Sequence, residues 1–152
     1  MREKFWQKYA LDELQQDEWE ALCDGCALCC LHKLEDEDTG DIAITDVYCR
    51  HLNIDECRCG SYDRRHVVAP ECMPLDVNAV RSIAWLPDTC AYRRLAENKA
   101  LPEWHYLESG DRALVHQLSI SVRDQSISET MIHPDLWEER VIRWVYNDEG
   151  RQ

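Results

Sequence analysis

The run Leu22-Cys23-Asp24-Gly25-Cys26-Ala27-Leu28-Cys29-Cys30 places four of the chain's nine cysteines side by side. A C-x-x-C step lets one tight turn bring two sulfurs to the same point, where a metal–sulfur bond of about 2.3 Å can reach both. Gly25 sits inside the first step and can take the positive φ that such a turn asks for. Cys26-Ala27-Leu28-Cys29 repeats the step. C-x-x-C-x-x-C is also the spacing that supplies three corners of a cubane cluster in bacterial ferredoxins. The C-x-x-x-C-P that completes that pattern does not follow here, so a fourth ligand must come from further along the chain. Adjacent Cys29 and Cys30 point about 100° apart on a helix and to opposite faces of a strand. They serve two different ions more easily than one, or leave one sulfur as a spare or redox-active thiol.

Working outward, a second group is Cys49-x7-Cys57-x-Cys59-x12-Cys72. Cys57 and Cys59 project to the same side if that stretch is extended. Together the groups allow two four-thiolate sites or one shared multinuclear site, with Cys90 left over. Cys90, in Thr89-Cys90-Ala91-Tyr92, reads equally as a core cysteine or a ligand. His32, His51 and His66 lie in or beside the groups and read as hydrogen-bonded or exposed histidines before they read as ligands, and His105 reads as structural. Four thiolates buried together without a cation would be prohibitively unfavourable. A divalent ion offsets that charge and adds its binding energy to folding. The metal-free chain is therefore expected to be partly unfolded between Cys23 and Cys72.

The chain has 152 residues, a length that fits one domain spanning 1–152. Apolar residues make up 45%, enough for a core, with six Trp against a single Phe. The formal charge of −13 repels phosphate backbones and anionic lipid headgroups, so neither nucleic acid nor a membrane is expected as a partner. The first twenty residues carry no apolar leader, and no run approaches the length of a membrane span. A cytoplasmic setting is expected, where thiols stay reduced and cysteine density points to metal binding or redox chemistry. The odd number of cysteines also suits disulfide pairing poorly.

Asp12 or Asp17 is expected to cap an early helix, and Asp17 with Glu20 has capping-box spacing. Leu34 to Asp41 reads as an acidic turn, and Ile42 to Tyr48 alternates as a strand. Cys49 to Cys72 has no sustained period. Helical patterns cover Asp76 to Trp85, Asp88 to Asn98 and Pro134 to Tyr146, and Leu118 to Arg123 reads as a second strand. Trp19, Trp85, Trp104, Trp137 and Trp144 read as core or core-edge residues. The expected fold is a small α-rich (α+β) single domain, with a long irregular middle organised by metal and one or two short strands. No Gly-rich phosphate loop, Gly-x-Ser-x-Gly or His-Glu-x-x-His occurs, so no catalytic motif is recognised and a non-enzymatic role is favoured over an enzymatic one.

The cysteine run resembles the signature of the bacterial YkgJ-type CxxCxxCC proteins, a group described as zinc- or iron-chelating. Within it the chain more closely resembles the YcgN family. The matching stretches are Leu22-Cys23-Asp24-Gly25-Cys26, Cys29-Cys30-Leu31-His32-Lys33-Leu34, Cys49-Arg50-x-Leu52-Asn53-Ile54 and Cys57-x-Cys59. Trp85-Leu86-Pro87-x-Thr89-Cys90-Ala91-Tyr92-Arg93, Leu101-Pro102-x-Trp104-His105 and Ile120-Ser121-Val122-Arg123 extend the likeness over most of the chain. The chain departs where the broader group shows C-x-x-Y-x-x-R-P: Cys59-Gly60-Ser61-Tyr62-Asp63-Arg64-Arg65 runs into His66, and Cys72 comes late, which ranks it below Cys59 as a ligand. Tyr106 stands where the closer family often has Pro.

The expectation is a cytoplasmic protein that chelates zinc or iron through Cys23, Cys26, Cys29 or Cys30, completed by Cys49, Cys57, Cys59 and Cys72. All-thiolate closure suits zinc, and the triple spacing suits a 4Fe–4S centre. An iron–sulfur redox enzyme or electron carrier, and a thiol-based redox sensor, are the alternatives. The sequence names no protein partner.

Overall fold

The computed structural model describes residues 1–55, 57–59 and 76–146, with Arg58 and Cys59 by their backbone. Two helices, α1 (Phe5–Lys8) and α2 (Gln16–Ala21), precede the cysteine run; β1 (Leu31–Glu35) and β2 (Ile42–Tyr48) follow it. A small ladder of β3 (Leu52–Asn53) and β4 (Arg58–Cys59) comes next, then four short helices: α3 (Val77–Ser82), α4 (Ala91–Ala96), α5 (Tyr106–Ser109) and α6 (Leu114–Gln117). The described chain ends with β5 (Ile127–Ser128), a 3-10 segment over Pro134–Arg140, and β6 (Val141–Val145).

The start of α2 is fixed by Glu18, whose Oε1 accepts the Gln15 amide at 2.8 Å. The cap thus falls two residues before the expected Asp17. The physical reason is Arg2: its Nη2 donates to Glu18 Oε1 at 2.7 Å and its Nε to Oε2 at 3.1 Å, and this pairing lets the Glu18 side chain be fully buried. Asp76 caps α3 as its position suggests, accepting the Ala79 amide at 2.7 Å.

The sheet departs furthest from expectation. Ile42–Tyr48 forms the strand that its alternation predicts, but β2 holds three partners instead of standing nearly alone. It pairs antiparallel with β1 (Lys33↔Ile44, Glu35↔Ile42), antiparallel with β6 (Ile42↔Val145, Ala43↔Trp144) and parallel with β5 (Val47↔Ile127). The β1–β2 register shifts between Leu31 and Lys33, and the buried Thr45 hydroxyl donates to the His32 carbonyl at 2.8 Å across that irregularity. The 36–41 turn closes on Asp36, whose Oδ1 accepts the amides of Asp38 and Thr39 at 2.8 and 3.1 Å, with Gly40 at φ 75°.

Three expectations are corrected. Pro134 to Tyr146 is not a helix: it is a 3-10 turn followed by a strand, because β2 offers Val141–Val145 a ladder. Leu118 to Arg123 is not a strand; Ser119 has φ 59° and Asp124 φ 64°, and the segment turns. Trp144 is 45% exposed and lies outside the core. The fold is a small single domain of short helices and a small mixed sheet, less helical than expected. The irregular 60–75 stretch and Cys72 lie outside the described residues. Among the described residues no helix is long and apolar enough to cross a membrane.

Two apolar clusters organise the interior. One gathers Phe5, Leu11, Leu22, Val80, Leu86 and Tyr92 from the helices. The other gathers Ala27, Leu31, Ile44, Leu52, Cys57 and Val122 around the sheet. Leu22 belongs to the first and Ala27 to the second, so the cysteine run crosses the seam between them.

Candidate metal centre

The last turn of α2 leaves carbonyls that the helix cannot satisfy itself. Side chains from distant segments supply donors, adding to the Leu22 amide that already reaches Trp19 O at 3.2 Å. Tyr92 donates its hydroxyl to Trp19 O at 2.7 Å, Tyr106 its hydroxyl to Ala21 O, and His105 Nε2 its proton to Leu22 O at 2.8 Å. His105 Nδ1 accepts the Leu107 amide at 3.0 Å, which leaves both ring nitrogens committed on a fully buried residue. Tyr106, the departure from the family's usual Pro, therefore helps hold the chain immediately before Cys23.

From Leu22 the backbone turns sharply. Gly25 has φ 81° and Ala27 φ 59°. Asp24 Oδ1 accepts the Cys26 amide at 2.9 Å, closing a turn around the first C-x-x-C step. The Cys26 carbonyl accepts the Val122 amide at 3.0 Å, so the 118–123 segment pins the run. Leu28–Cys30 is a 3-10 turn, on which successive side chains diverge by about 120°. Lys33 Nζ donates to Cys29 O at 3.1 Å and lies 4.0 Å above the centre of the Trp85 ring.

The two neighbouring thiols share a hydrogen bond, yet each also faces a different group of cysteines. Cys29 belongs with Cys23, Cys26 and Cys90: the charges of Cys29 and Cys90 act on Cys23, those of Cys29 and Cys23 on Cys26, and that of Cys29 on Cys90. Cys90, left outside both groups by spacing, stands at the N-terminus of α4 and packs against the helical cluster. Cys30 packs against the sheet cluster that contains Cys57, and its carbonyl accepts the Cys49 amide at 3.0 Å. Cys57 is buried, has φ 52° and so breaks the extended geometry expected for Cys57 and Cys59; its thiol donates to Ile54 O at 3.4 Å. His32 Nε2 is 2.7 Å from Glu129 Oε2 and the ring stacks on Trp137, as the hydrogen-bonded reading of that histidine requires.

Electrostatics follow this layout. Desolvation of its sulfur, reinforced by Cys29, pushes the Cys23 thiol up to about 12, although the residue as a whole stays exposed. Burial drives Cys26 well above its ordinary value, with Asp24 adding to it, and takes Cys90 to about 11. Cys29, although exposed as a residue, goes the other way, to about 7, because a hydrogen bond with Cys30 and the Lys33 ammonium together outweigh the desolvation of its sulfur. Burial also raises Cys57, against the pull of Arg123 and a hydrogen bond with Ser121. Ser121 Oγ lies in turn 2.7 Å from His116 Nδ1.

Asp24 is the residue that sequence reasoning missed. Its carboxylate acts electrostatically on Cys23, Cys26, Cys29 and Cys90. Its Oδ2 is buried with no hydrogen-bond partner. Among the described residues no three His, Cys, Asp or Glu donors lie close enough together to clasp an ion, so binding would draw these groups inward. The donor set nonetheless suits a cation. The raised thiols of Cys23, Cys26 and Cys90, with the lowered Cys29 and an unpartnered carboxylate oxygen beside them, are groups that a divalent ion would satisfy.

Residues 22–91 match the CxxCxxCC family, described as "Putative zinc- or iron-chelating domain", a span that takes in both Cys23 and Cys90. The class this match defines, for residues 22–91, is that of CxxCxxCC domains. The chain is 50% identical over 141 residues to a UPF0260 protein of Marinobacter nauticus, covering 93% of this chain and 95% of that one. A UPF0260 protein of Cellvibrio japonicus is 48% identical over 93% of this chain and 96% of its own. The UPF0260 protein YcgN of Salmonella typhi is 48% identical over 91% of this chain and 89% of its own. The chain belongs to the UPF0260 family, as the resemblance to YcgN implies. No solved structure matches it.

Proposed function

We propose that this chain is a metal-binding protein that holds zinc or iron on thiolates drawn from two parts of the sequence, with Cys23, Cys26, Cys29 and Cys90 as the first set. Cys30, Cys49 and Cys57 form the nucleus of a second set, with Cys59 and Cys72 as its remaining candidates. One observation carries the reading: three sulfurs of the C-x-x-C-x-x-C run and a fourth from the start of α4 are near enough for their charges to interact around one carboxylate. A bound ion would supply the positive charge that lets these thiols ionise and release their protons on binding. Zinc is favoured by four-thiolate closure, and a 4Fe–4S centre by the triple spacing.

Anaerobic purification followed by a visible spectrum and a count of zinc, iron and sulfide per chain tests this. Colour with sulfide indicates a cluster; colourless protein with stoichiometric zinc indicates a mononuclear site. Cys26→Ser and Cys90→Ser are expected to remove the same ion, and Cys57→Ser to spare it. Folded, metal-free protein with every thiol open to titration would overturn the reading.

A thiol-based sensor is the second reading, supported by Cys29, which is exposed, hydrogen-bonded to Cys30 and held at about 7. It predicts that iodoacetamide modifies Cys29 first in metal-free protein. Uniform labelling of the exposed cysteines would sink it.

A further inference from the structure

We propose that Asp24, through Oδ2, is itself a ligand of the ion held by the first cysteine set, so that a mononuclear site there combines three sulfurs and one oxygen. This rests on the metal-binding reading above and specifies its donors. The Asp24 carboxylate is split between two tasks. Oδ1 accepts the Cys26 amide at 2.9 Å and shapes the turn. Oδ2 is buried and has no partner, an arrangement that costs free energy unless a donor or a cation completes it.

The surroundings supply no such donor. The groups whose charges reach Asp24 are the cysteine thiols on one side and His105 and His116 on the other. His105 spends its Nε2 proton on Leu22 O, and its Nδ1 is occupied by the Leu107 amide. His116 directs Nδ1 to Ser121. A cation shared with the neighbouring sulfurs satisfies Oδ2 where the protein does not. The same turn that presents Cys23 and Cys26 carries Asp24 between them, so their placement is common to all three. A tetrahedral ion that takes Asp24 together with Cys26 and Cys90 needs only one of Cys23 and Cys29. Carboxylate oxygen is also a harder donor than thiolate, which broadens the site toward iron(II) as well as zinc.

X-ray absorption of the full chain loaded with zinc reads the donor set directly. The expected shell has one oxygen or nitrogen at about 2.0 Å beside sulfurs at about 2.3 Å. Asp24→Asn keeps the Oδ1 acceptor and removes the charge; its zinc affinity, measured by chelator competition, is expected to fall at least about tenfold. A sulfur-only shell in the wild-type chain, or undiminished zinc affinity in Asp24→Asn, overturns the assignment and leaves metal binding standing. A wild-type chain that takes up no zinc or iron overturns both. The wild-type spectrum decides the matter even if the variant fails to fold.

Discussion

At the scale of single residues, the site is held by groups that cannot be ligands. His105 has both nitrogens engaged and is fully buried, and burial lowers its pKa so that it stays neutral at neutral pH. His105→Ala strands the Leu22 carbonyl one residue before Cys23. Urea unfolding should show a loss of about 2–3 kcal/mol, the order of a buried acceptor left without its donor. A loss below about 0.5 kcal/mol would mean that the histidine is dispensable there. The spacing of Cys23, Cys26 and Cys29 is legible in the sequence because each ligand lies within one turn of the next. The company of Cys90 is not, since it comes from a segment some sixty residues on and is fixed by packing of α4 against the helical cluster. Asp24 was hidden by its ordinariness: an Asp before Gly reads as turn chemistry, and only its second oxygen departs from that role.

At the scale of elements, β2 was readable because its apolar residues alternate and its ends are marked by turn residues. β6 was not, because Leu136, Trp137, Val141, Trp144 and Val145 also satisfy a helical period. The ambiguity is resolved by pairing: β2 takes Val141–Val145 into its ladder and turns Ile142 and Trp144 outward, 58% and 45% exposed. The junction is secured by Arg140, whose Nε and Nη2 donate to the two oxygens of Asp46 at 2.8 Å each. The pair is partly exposed, so a double-mutant cycle of Arg140→Ala and Asp46→Ala should give a coupling of about 0.5–1 kcal/mol. A coupling of zero would show that the ladder alone holds β6.

At the scale of the molecule, two cores meet at the cysteine run, and the N-terminal residues are tied to the helical one through Arg2 and Glu18. The Arg2 hydrogen bond holds the Glu18 carboxyl at about 2, well below its ordinary 4.5, and Arg93 does the same for Glu97. A carboxyl lowered on folding contributes stability that is complete above its unfolded pKa and is lost as pH falls through the folded one. Metal-free protein should therefore lose thermal stability progressively from about pH 4.5 down to about pH 2, and Glu18→Gln should flatten that slope. An unchanged slope would place the acid sensitivity elsewhere. Another consequence follows from the Lys33 ammonium poised over Trp85 while it grips the Cys29 carbonyl. Trp85 packs against both cores, and its carbonyl accepts Arg143 Nη2 at 2.7 Å, so the ring is held under a lysine tied to the Leu31 carbonyl at 2.7 Å and the Cys29 carbonyl at 3.1 Å. The indole is thus a built-in optical gauge. A movement of Cys29 that shifts the lysine alters the field across it, and subtracting the fluorescence of a Trp85→Phe variant separates that report from the other five tryptophans.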